Sequence, residues 1–407
     1  MQKRTGEKYS FPLLPSSATV IKLHSQMQLN ITQPCPFESI ALLLQGGGAL
    51  GAYQGGVYQA LQEARLLPDW IAGISIGAIN AAIIAGNPPD RRLAKLKGFW
   101  QAITSNPYWD QVAKAAALYA HGDTARSTLN QASAGIAIAS GVPGFFKPHL
   151  FPPFLYPPGT IEATSCYDVA PLRDTLLQFV DFDYLNGSGT RFIVGAVNVR
   201  TGNFTSFDSR TQKIGPDHIL ASGALPPGFA PVEIEGEPYW DGGLISNTPL
   251  EWLMDDMPRR DTLAFQVDLW SAEGEVPKTI IDVVTRQKEI QYSSRTRAST
   301  DRFRAAQKLR HAFATISESL PPAARQTEEY KMLAAAADHS TYNIVHLIYR
   351  SKNYEGHSKD YEFSRQSMED HWQAGYHDTL QSLSHPDIFK RPEGAEGIAT
   401  FDLTKTG

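Results

Sequence analysis

The sequence has few of the residues that build metal sites or disulfide frameworks. Among its 407 residues there are two cysteines, Cys35 and Cys166, and neither lies in a CxxC or Cys/His spacing. A structural zinc site or a disulfide framework needs more ligands or partners than this. We therefore expect two free thiols in a reducing compartment, and no metal or other cofactor.

The sequence also lacks a block of charge of one sign and a long apolar run. The 37 Lys and Arg residues are interspersed with 42 Asp and Glu residues, for a net charge of -5. Nucleic-acid-binding proteins carry a concentrated positive patch, so we expect no nucleic-acid partner. No stretch approaches the roughly 18 to 20 apolar residues of a membrane-spanning helix. Any membrane contact is therefore expected to be peripheral.

A signal peptide is the third missing feature. The first thirty residues mix charge, Pro and Ser and contain no apolar run of the length that secretion requires. We expect a cytoplasmic location, and secretion by a signal-independent route stays open. Since domains split beyond about 250 to 300 residues, we predict an N-terminal extension (1–38), a main domain (39–275) and a mostly helical C-terminal extension (276–407).

From Ser39 onward the sequence repeats a strand-turn-helix pattern. It begins with the apolar run SIALLLQ, three glycines and a stretch of helical spacing, and it continues with WIAGISIGAINAAIIAG. Two such units in succession predict a parallel sheet with right-handed crossovers. We expect the strand TLAFQVDLW to end the main body of this sheet. Another strand, NIVHLIYR, is predicted near residues 343–350, within the helical extension.

The pentapeptide GISIG, residues 73–77, lies between the second predicted strand and its helix, with Ser75 at its centre. In this context GxSxG predicts a nucleophile elbow. Gly73 and Gly77 fit this prediction because larger side chains would clash in so tight a turn. The alternative is an ordinary glycine-rich turn before a helix.

A glycine run, Gly46, Gly47 and Gly48, followed by Gly51, ends the first predicted strand. Its backbone amides could form an oxyanion hole or could hold the pyrophosphate of a dinucleotide. A dinucleotide site needs an acidic residue about twenty positions further on, at the end of the second strand. Asp69 precedes that strand and Ser75 follows it, so the oxyanion hole is favoured.

A serine hydroxyl needs a base to become a nucleophile at neutral pH. Candidates are one of eleven histidines or a carboxylate. Asp241 follows a strand-like segment, and Gly242 and Gly243 would let the chain turn sharply there. Taken alone, Asp-Gly-Gly is also typical of a plain turn.

The motifs GGGALG, GISIG and DGG, in this order, resemble those of the patatin-like phospholipases over roughly residues 39–270. The resemblance implies an α/β three-layer sandwich with a mainly parallel central sheet flanked by helices. It also implies a Ser–Asp dyad without histidine, in which Ser75 attacks an ester carbonyl and Asp241 takes its proton. The amides of Gly46–Gly48 would stabilise the oxyanion, and the substrate would be a lipid or another acyl ester.

The region 343–383 resembles a C-terminal extension found in one bacterial branch of that family, with no assigned role. It contains His346, His357, His371 and His377. No pair of them has clear metal-ligand spacing, so we expect a capping surface rather than a metal site.

A loop rich in Pro and aromatic residues is predicted at residues 140–160. If it is covered, its aromatic residues belong to the core. If it is exposed, residues 142–158 could contact a membrane or a lipid particle.

Two other functions remain open at this stage. A conventional α/β-hydrolase would join Ser75 and Asp241 to His346, His357 or His371, although only one clear strand precedes the elbow. A catalytically silent lipid-binding or scaffold protein could keep the same fold. Neither the ester cleaved nor the oligomeric state follows from the sequence.

Overall fold

The computed structural model describes residues 35–105, 122–293, 296–352, 354–394 and 396–404. Most of the predicted N-terminal extension, residues 1–34, lies outside this range. Residues Cys35–Gly407 form one compact unit.

The strands are β1 Ser39–Leu44, β2 Trp70–Gly73, β3 Lys147–Pro148, β4 Tyr167–Asp168, β5 Arg191–Asn198, β6 Phe204–Asp208, β7 Val232–Ile234, β8 Glu237–Asp241, β9 Thr262–Asp268, β10 Tyr342–Ile348 and β11 Ile398–Phe401. The helices are α1 Ala52–Glu63, α2 Ile76–Ala85, α3 Pro89–Ile103, α4 Asp123–Ser140, α5 Ala170–Phe179, α6 Phe182–Gly187, α7 Pro216–Ser222, α8 Leu250–Met254, α9 Ile280–Ser293, α10 Thr296–Ser317, α11 Glu328–Ala336 and α12 Arg365–Leu383.

The described residues form a nine-stranded sheet in the order β11-β10-β9-β1-β2-β5-β8-β7, with β6 also paired to β5. Neighbours from β11 to β5 are parallel. Strands β6, β7 and β8 run antiparallel to their partners. The mainly parallel α/β sheet predicted from the sequence is thereby confirmed.

Helices cover both faces of the sheet. Ala41 and Leu43 of β1 belong to a buried cluster that includes Leu250 of α8 and Phe303 of α10. Because side chains alternate along a strand, Leu42 and Leu44 point to the opposite face, and they are also fully buried. Every residue of α2 is buried, as expected for a helix that is apolar on all sides. The three-layer sandwich is confirmed.

The expectation that TLAFQVDLW ends the sheet is wrong. This segment contains β9, which lies inside the sheet between β1 and β10, and β11 extends the sheet further. All seven residues of β9 are buried, as an interior strand requires. The predicted boundary between residues 275 and 276 therefore falls in the connection between two adjacent strands. The division into domains itself stays a prediction.

Helix α12 packs tightly on α1. A Cβ atom added at Gly375 would lie 2.0 Å from the carbonyl oxygen of Tyr53, and one added at Gly56 would lie 1.8 Å from that of Trp372. The Tyr53 hydroxyl donates to Asp378 across the same interface at 2.7 Å. The two helices can approach this closely because glycine stands at the crossing.

We expect Gly375→Ala to lower the free energy of unfolding by about 1 to 3 kcal/mol, because the added methyl group forces the helix backbones apart. The matched control is Gly135→Ala in α4, where an added Cβ meets no atom within 4 Å. That substitution should stabilise the protein by about 0.5 to 1 kcal/mol. Urea denaturation followed by circular dichroism measures both. Equal midpoints for the two variants would contradict the close-packing explanation.

Candidate active site

Strand β5 brings Ser75 and Asp241 to the same place. Its residues Ile193–Val197 pair with β6, so β2 and β8 must share the other edge. On that edge Gly73 lies opposite Val194, and Asp241 lies opposite Ala196. Strand β2 therefore ends next to the point where β8 ends, and the serine that follows β2 meets the last residue of β8.

Ser75 lies in a strained turn between β2 and α2. Its backbone φ is 56°, in the left-handed region that side chains other than glycine rarely adopt. A Cβ atom at Gly73 would lie 2.3 Å from the Gly77 oxygen, and one at Gly77 would lie 2.3 Å from the Leu44 oxygen. The turn can form only with glycine at both positions, and the Ser75 N–H is held by the Ser222 hydroxyl at 3.0 Å.

Asp241 is buried, with an exposed fraction of 2%. Its carboxylate accepts a hydrogen bond from the Gly243 N–H at 2.7 Å, and the Ser75 side chain lies close enough to lower its pKa. Burial raises the pKa of Asp241 to about 7, against the opposing effects of the Ser75 side chain and the Gly243 N–H. A carboxyl group with this pKa can exchange a proton at neutral pH.

Both backbone polar groups of Gly46, its N–H and its carbonyl, form hydrogen bonds with side chains of other residues. Its N–H donates to Asn247 Oδ1 at 3.1 Å, and its carbonyl accepts from Asn247 Nδ2 at 3.1 Å and from Trp270 Nε1 at 3.1 Å. The N–H of Gly46 is therefore already used within the protein.

Unlike the Gly46 N–H, the N–H groups of Gly47 and Gly48 donate no hydrogen bond to any described residue. Gly48 has a φ of 56°, and a Cβ atom there would lie 2.1 Å from the Asp360 carbonyl oxygen. A Cβ atom at Gly46 would lie 2.9 Å from the Ser75 Cβ, so the glycine run is in contact with the serine. Gly47 and Gly48 line the same cavity as Ser75, and unpaired amides in such a place can bind a negatively charged oxygen.

The other motif glycines allow close contacts around this centre. Added Cβ atoms would lie 2.5 Å from Ile76 at Gly51, 2.6 Å from the Gly195 oxygen at Gly242, and 3.0 Å from the Asp241 carboxylate at Gly243.

Ser75 and Asp241 line a cavity of about 330 Å³. Its other walls are mainly apolar and include Ile76, Ile79, Phe145, Phe146, Phe229 and Phe363. This volume is at the lower end of ligand pockets, which span roughly 300 to 1,000 Å³. Among the described residues that line it, the charged ones are the acidic Asp241 and Asp360.

The aromatic loop divides into an inner and an outer part. Phe145 and Phe146 are buried and line the cavity. Leu150 and Phe154 are 84% and 82% exposed. Part of the loop is therefore covered and part is exposed, and contact with a membrane or a lipid particle stays a prediction.

The histidines of the conventional triad lie elsewhere in the described part of the chain. His371 is buried and lies 3.3 Å from Glu355, and His346 lies 3.9 Å from Asp268. No histidine is among the described residues that line the cavity. The burial of His346 and His371 also contradicts the expectation that they belong to a capping surface.

Asp69 does not support a dinucleotide site. Its carboxylate accepts hydrogen bonds from Ser39 Oγ at 2.7 Å and from the Ile40 N–H at 2.9 Å. These residues begin β1, whereas Gly46–Gly48 follow its end. The acidic residue and the glycine run are thus at opposite ends of a strand about 20 Å long.

The comparisons with known proteins agree with these motifs. A family model described as patatin-like phospholipase matches residues 42–254, which is more than half of the 407 residues. The chain belongs to the patatin-like phospholipases. A second family model, described as patatin phospholipase, matches residues 290–395.

Individual relatives of this patatin-like chain match over short segments. The triacylglycerol lipase SDP1L of Arabidopsis thaliana is 38% identical over 72 residues, which are 18% of this chain and 9% of that protein. The lysophospholipase nte1 of Aspergillus terreus is 53% identical over 47 residues, which are 12% of this chain and 3% of that protein. The matched segment thus spans less than a tenth of either relative.

Two solved structures also match. VipD from Legionella pneumophila has a TM-score of 0.37 and 15% identity, with 85% of this chain and 67% of that chain covered. The type III effector protein ExoU has a TM-score of 0.27 and 15% identity, with 74% and 69% covered. Both TM-scores are low, so nothing about this chain follows from them.

The site residues predicted from the sequence did not include Asn247, Tyr292 or Asp360. Asn247 follows Asp241 closely, and its place in the segment after the DGG motif was the only available signal. Tyr292 and Asp360 lie far along the chain and belong to no motif, so nothing in the sequence assigns them to the cavity that they line.

Burial of Asp241 should make stability depend on pH. The folded pKa of about 7 lies above the ordinary value of 3.8, so between these values the unfolded state releases a proton that the folded state keeps. Stability is then lost as pH rises through this window and is constant above it. Relative to Asp241→Asn, which has no such group, wild type should lose about 2 to 3 kcal/mol between about pH 5 and pH 8. Urea denaturation of both proteins at the two pH values is the measurement, and parallel pH dependence would contradict the raised pKa.

Proposed function

We propose that this protein hydrolyses acyl esters of lipids through a Ser75–Asp241 dyad. The observation that carries the proposal is the placement of Ser75 beside the buried Asp241 carboxylate, where both line a mainly apolar cavity. Membership of the patatin-like family supports hydrolysis of a lipid ester in general, and the positions of Ser75, Asp241 and the glycine run suggest how each would act.

In the first step Ser75 Oγ attacks the ester carbonyl carbon, and Asp241 accepts the seryl proton. The carbonyl oxygen becomes an oxyanion, which the N–H groups of Gly47 and Gly48 stabilise. Gly46, predicted as a third donor, acts instead through its hydrogen bonds with Asn247. When the intermediate collapses, the bond to the alcohol oxygen breaks, Asp241 returns the proton to that oxygen, and the acyl group stays on Ser75.

In the second step water attacks the acyl-enzyme carbonyl and gives its proton to Asp241. The second oxyanion forms at the same amides, and its collapse releases the carboxylic acid and restores the Ser75 hydroxyl. One carboxyl group thus serves as base and acid in both halves. A pKa of about 7 suits this double role, because both protonation states are accessible at neutral pH.

The positions of the other candidate groups favour the dyad over the alternatives. His371 is bonded to Glu355, and Asp69 is used at the start of β1. A silent scaffold would have no need for the strained φ of Ser75 or for an ionisable group buried beside it.

The cavity favours an acyl chain as the group that is bound. Its lining of Phe and Ile side chains gains free energy from burying methylene groups, at about 0.8 kcal/mol each. The names of the two curated relatives, a triacylglycerol lipase and a lysophospholipase, fit the same bond type with different alcohols.

Dyad variants test this assignment. We expect Ser75→Ala and Asp241→Asn each to lower kcat on a short p-nitrophenyl ester at least about a thousandfold, because each removes a group that acts in the transition state. His371→Gln should keep kcat within a few-fold of wild type. Loss of turnover in His371→Gln with turnover kept in Asp241→Asn would establish the conventional triad instead.

We also propose that the outer part of the aromatic loop contacts a lipid surface. Leu150, Phe154 and Leu155 are exposed apolar side chains, and Phe145 and Phe146 of the same loop line the cavity. An exposed apolar patch continuous with an apolar cavity would let a lipid pass from an aggregate into the site without crossing water. None of the described helices could cross a membrane by its length and apolar content, and a cytoplasmic location stays a prediction.

Changing Leu150, Phe154 and Leu155 together to Ser should lower activity on lipid vesicles about tenfold or more, because the patch would lose its apolar area. Activity on a short soluble ester should stay unchanged. The matched control changes three exposed apolar residues of α10 and α11 to Ser, namely Leu309, Ile316 and Met332. Equal losses on vesicles and on the soluble ester, or an equal effect of the control, would contradict the proposal.

A further inference from the structure

The glycine run is held from outside the segment that matches the patatin-like family model. The Ala49 N–H donates to the Asp360 carbonyl at 2.8 Å, and the same carbonyl fills the space where Gly48 would carry a Cβ atom. Asp360 lies more than a hundred residues beyond the matched segment, which ends at residue 254.

The other support comes from the end of α9. The Tyr292 carbonyl accepts hydrogen bonds from Asn247 Nδ2 at 3.1 Å and from Gln45 Nε2 at 3.0 Å. Asn247 in turn holds both polar groups of Gly46. The orientation of the glycine run is thereby linked to the position of α9.

Ion pairs join these two supports. Lys288 Nζ donates to both carboxylate oxygens of Asp360, at 2.7 and 3.0 Å. Lys359 Nζ donates to Glu289 Oε1 at 2.7 Å. We call Lys288, Glu289, Lys359 and Asp360 the latch. It ties the C-terminal half of α9 to the segment that carries the Asp360 carbonyl.

We propose that the latch positions the glycine run Gly46–Gly48. It does so by fixing the Tyr292 and Asp360 carbonyls, so that the Gly47 and Gly48 N–H groups converge beside Ser75. The proposal rests on the function proposed above for the same site. Lys288 is a positioning residue under it, since its ammonium group acts through Asp360 and not on the substrate.

The exposure of α9 explains why a latch is needed. Ile280, Ile281, Val283 and Val284 in its first half are all exposed, so few apolar contacts hold the helix. Ion pairs and the Tyr292 carbonyl attach the half that adjoins the cavity. A displacement of about 1 Å in a positioning element can cost about a hundredfold in rate. A small movement of α9 would therefore lower kcat strongly while changing the free energy of unfolding little.

The test uses Lys288→Met in the full chain, with Lys288→Arg as the conservative variant. The matched control is Lys390→Met, which breaks a pair with Asp387 of the same 2.7 Å length on the surface. We expect Lys288→Met to lower kcat on a short soluble ester about tenfold or more with little change in KM, because oxyanion donors act in the transition state. Lys288→Arg should recover most of kcat, and Lys390→Met should match wild type. An unchanged kcat, or a rise in KM alone, would overturn the proposal.

Hydrogen exchange of the peptide that contains residues 45–50 gives a second, independent measurement. Lys288→Met should exchange faster than wild type at this peptide, because the Ala49 N–H loses its fixed acceptor. Lys390→Met should not. Unchanged exchange in Lys288→Met would overturn the proposal, even if kcat falls. If Ser75→Ala hydrolyses the ester as fast as wild type, the proposed function fails, and the exchange result still decides whether the latch positions the glycine run.

Discussion

Strand β5 has a single edge left for β2 and β8 once β6 occupies the other. Because β2 uses the first half of that edge, β8 is left with the second half, and it runs antiparallel to β5 there. The end of β8 must then meet the turn after β2. The proximity of Ser75 and Asp241 is therefore a consequence of strand pairing and does not depend on a mobile loop.

This arrangement concentrates unfavourable features at one point. Ser75 has a left-handed backbone, and Asp241 carries a carboxyl group into a buried position. Backbone strain such as that of Ser75 costs about 1 to 3 kcal/mol and persists only where the surroundings determine it. Here α2 and β1 are almost completely buried on either side of the turn. The well-packed centre of the sheet thus supplies the rigidity that the turn requires.

Local spacing was sufficient to predict the strand before the glycine run, the strand before Ser75, the tight turn at Ser75 and the parallel sheet. Local spacing failed where the position of a strand or the hydrogen bond of a residue depends on residues far away in the sequence. Strand β9 has the same apolar pattern whether it ends a sheet or lies inside one, and only β10 decides between them. In the same way, the Gly46 N–H is used up by Asn247, which no spacing rule connects to it. Phe145 and Phe154 belong to one aromatic segment, yet only the fold separates a cavity wall from an exposed surface.

Catalytic groups are easier to predict from sequence than the lining of the cavity, because different forces act on the two. Proton transfer and oxyanion binding are directional and work over hydrogen-bond distances, so their groups sit in short motifs with fixed backbone geometry. Burial of an acyl chain is non-directional and depends on area, so any apolar side chain that reaches the cavity can contribute. Phe145 and Phe363 meet there with ring centres 5.7 Å apart, although they come from distant parts of the chain. Motifs can therefore reveal the chemistry of such a site, whereas the shape of its substrate pocket depends on segments that carry no signature of their own.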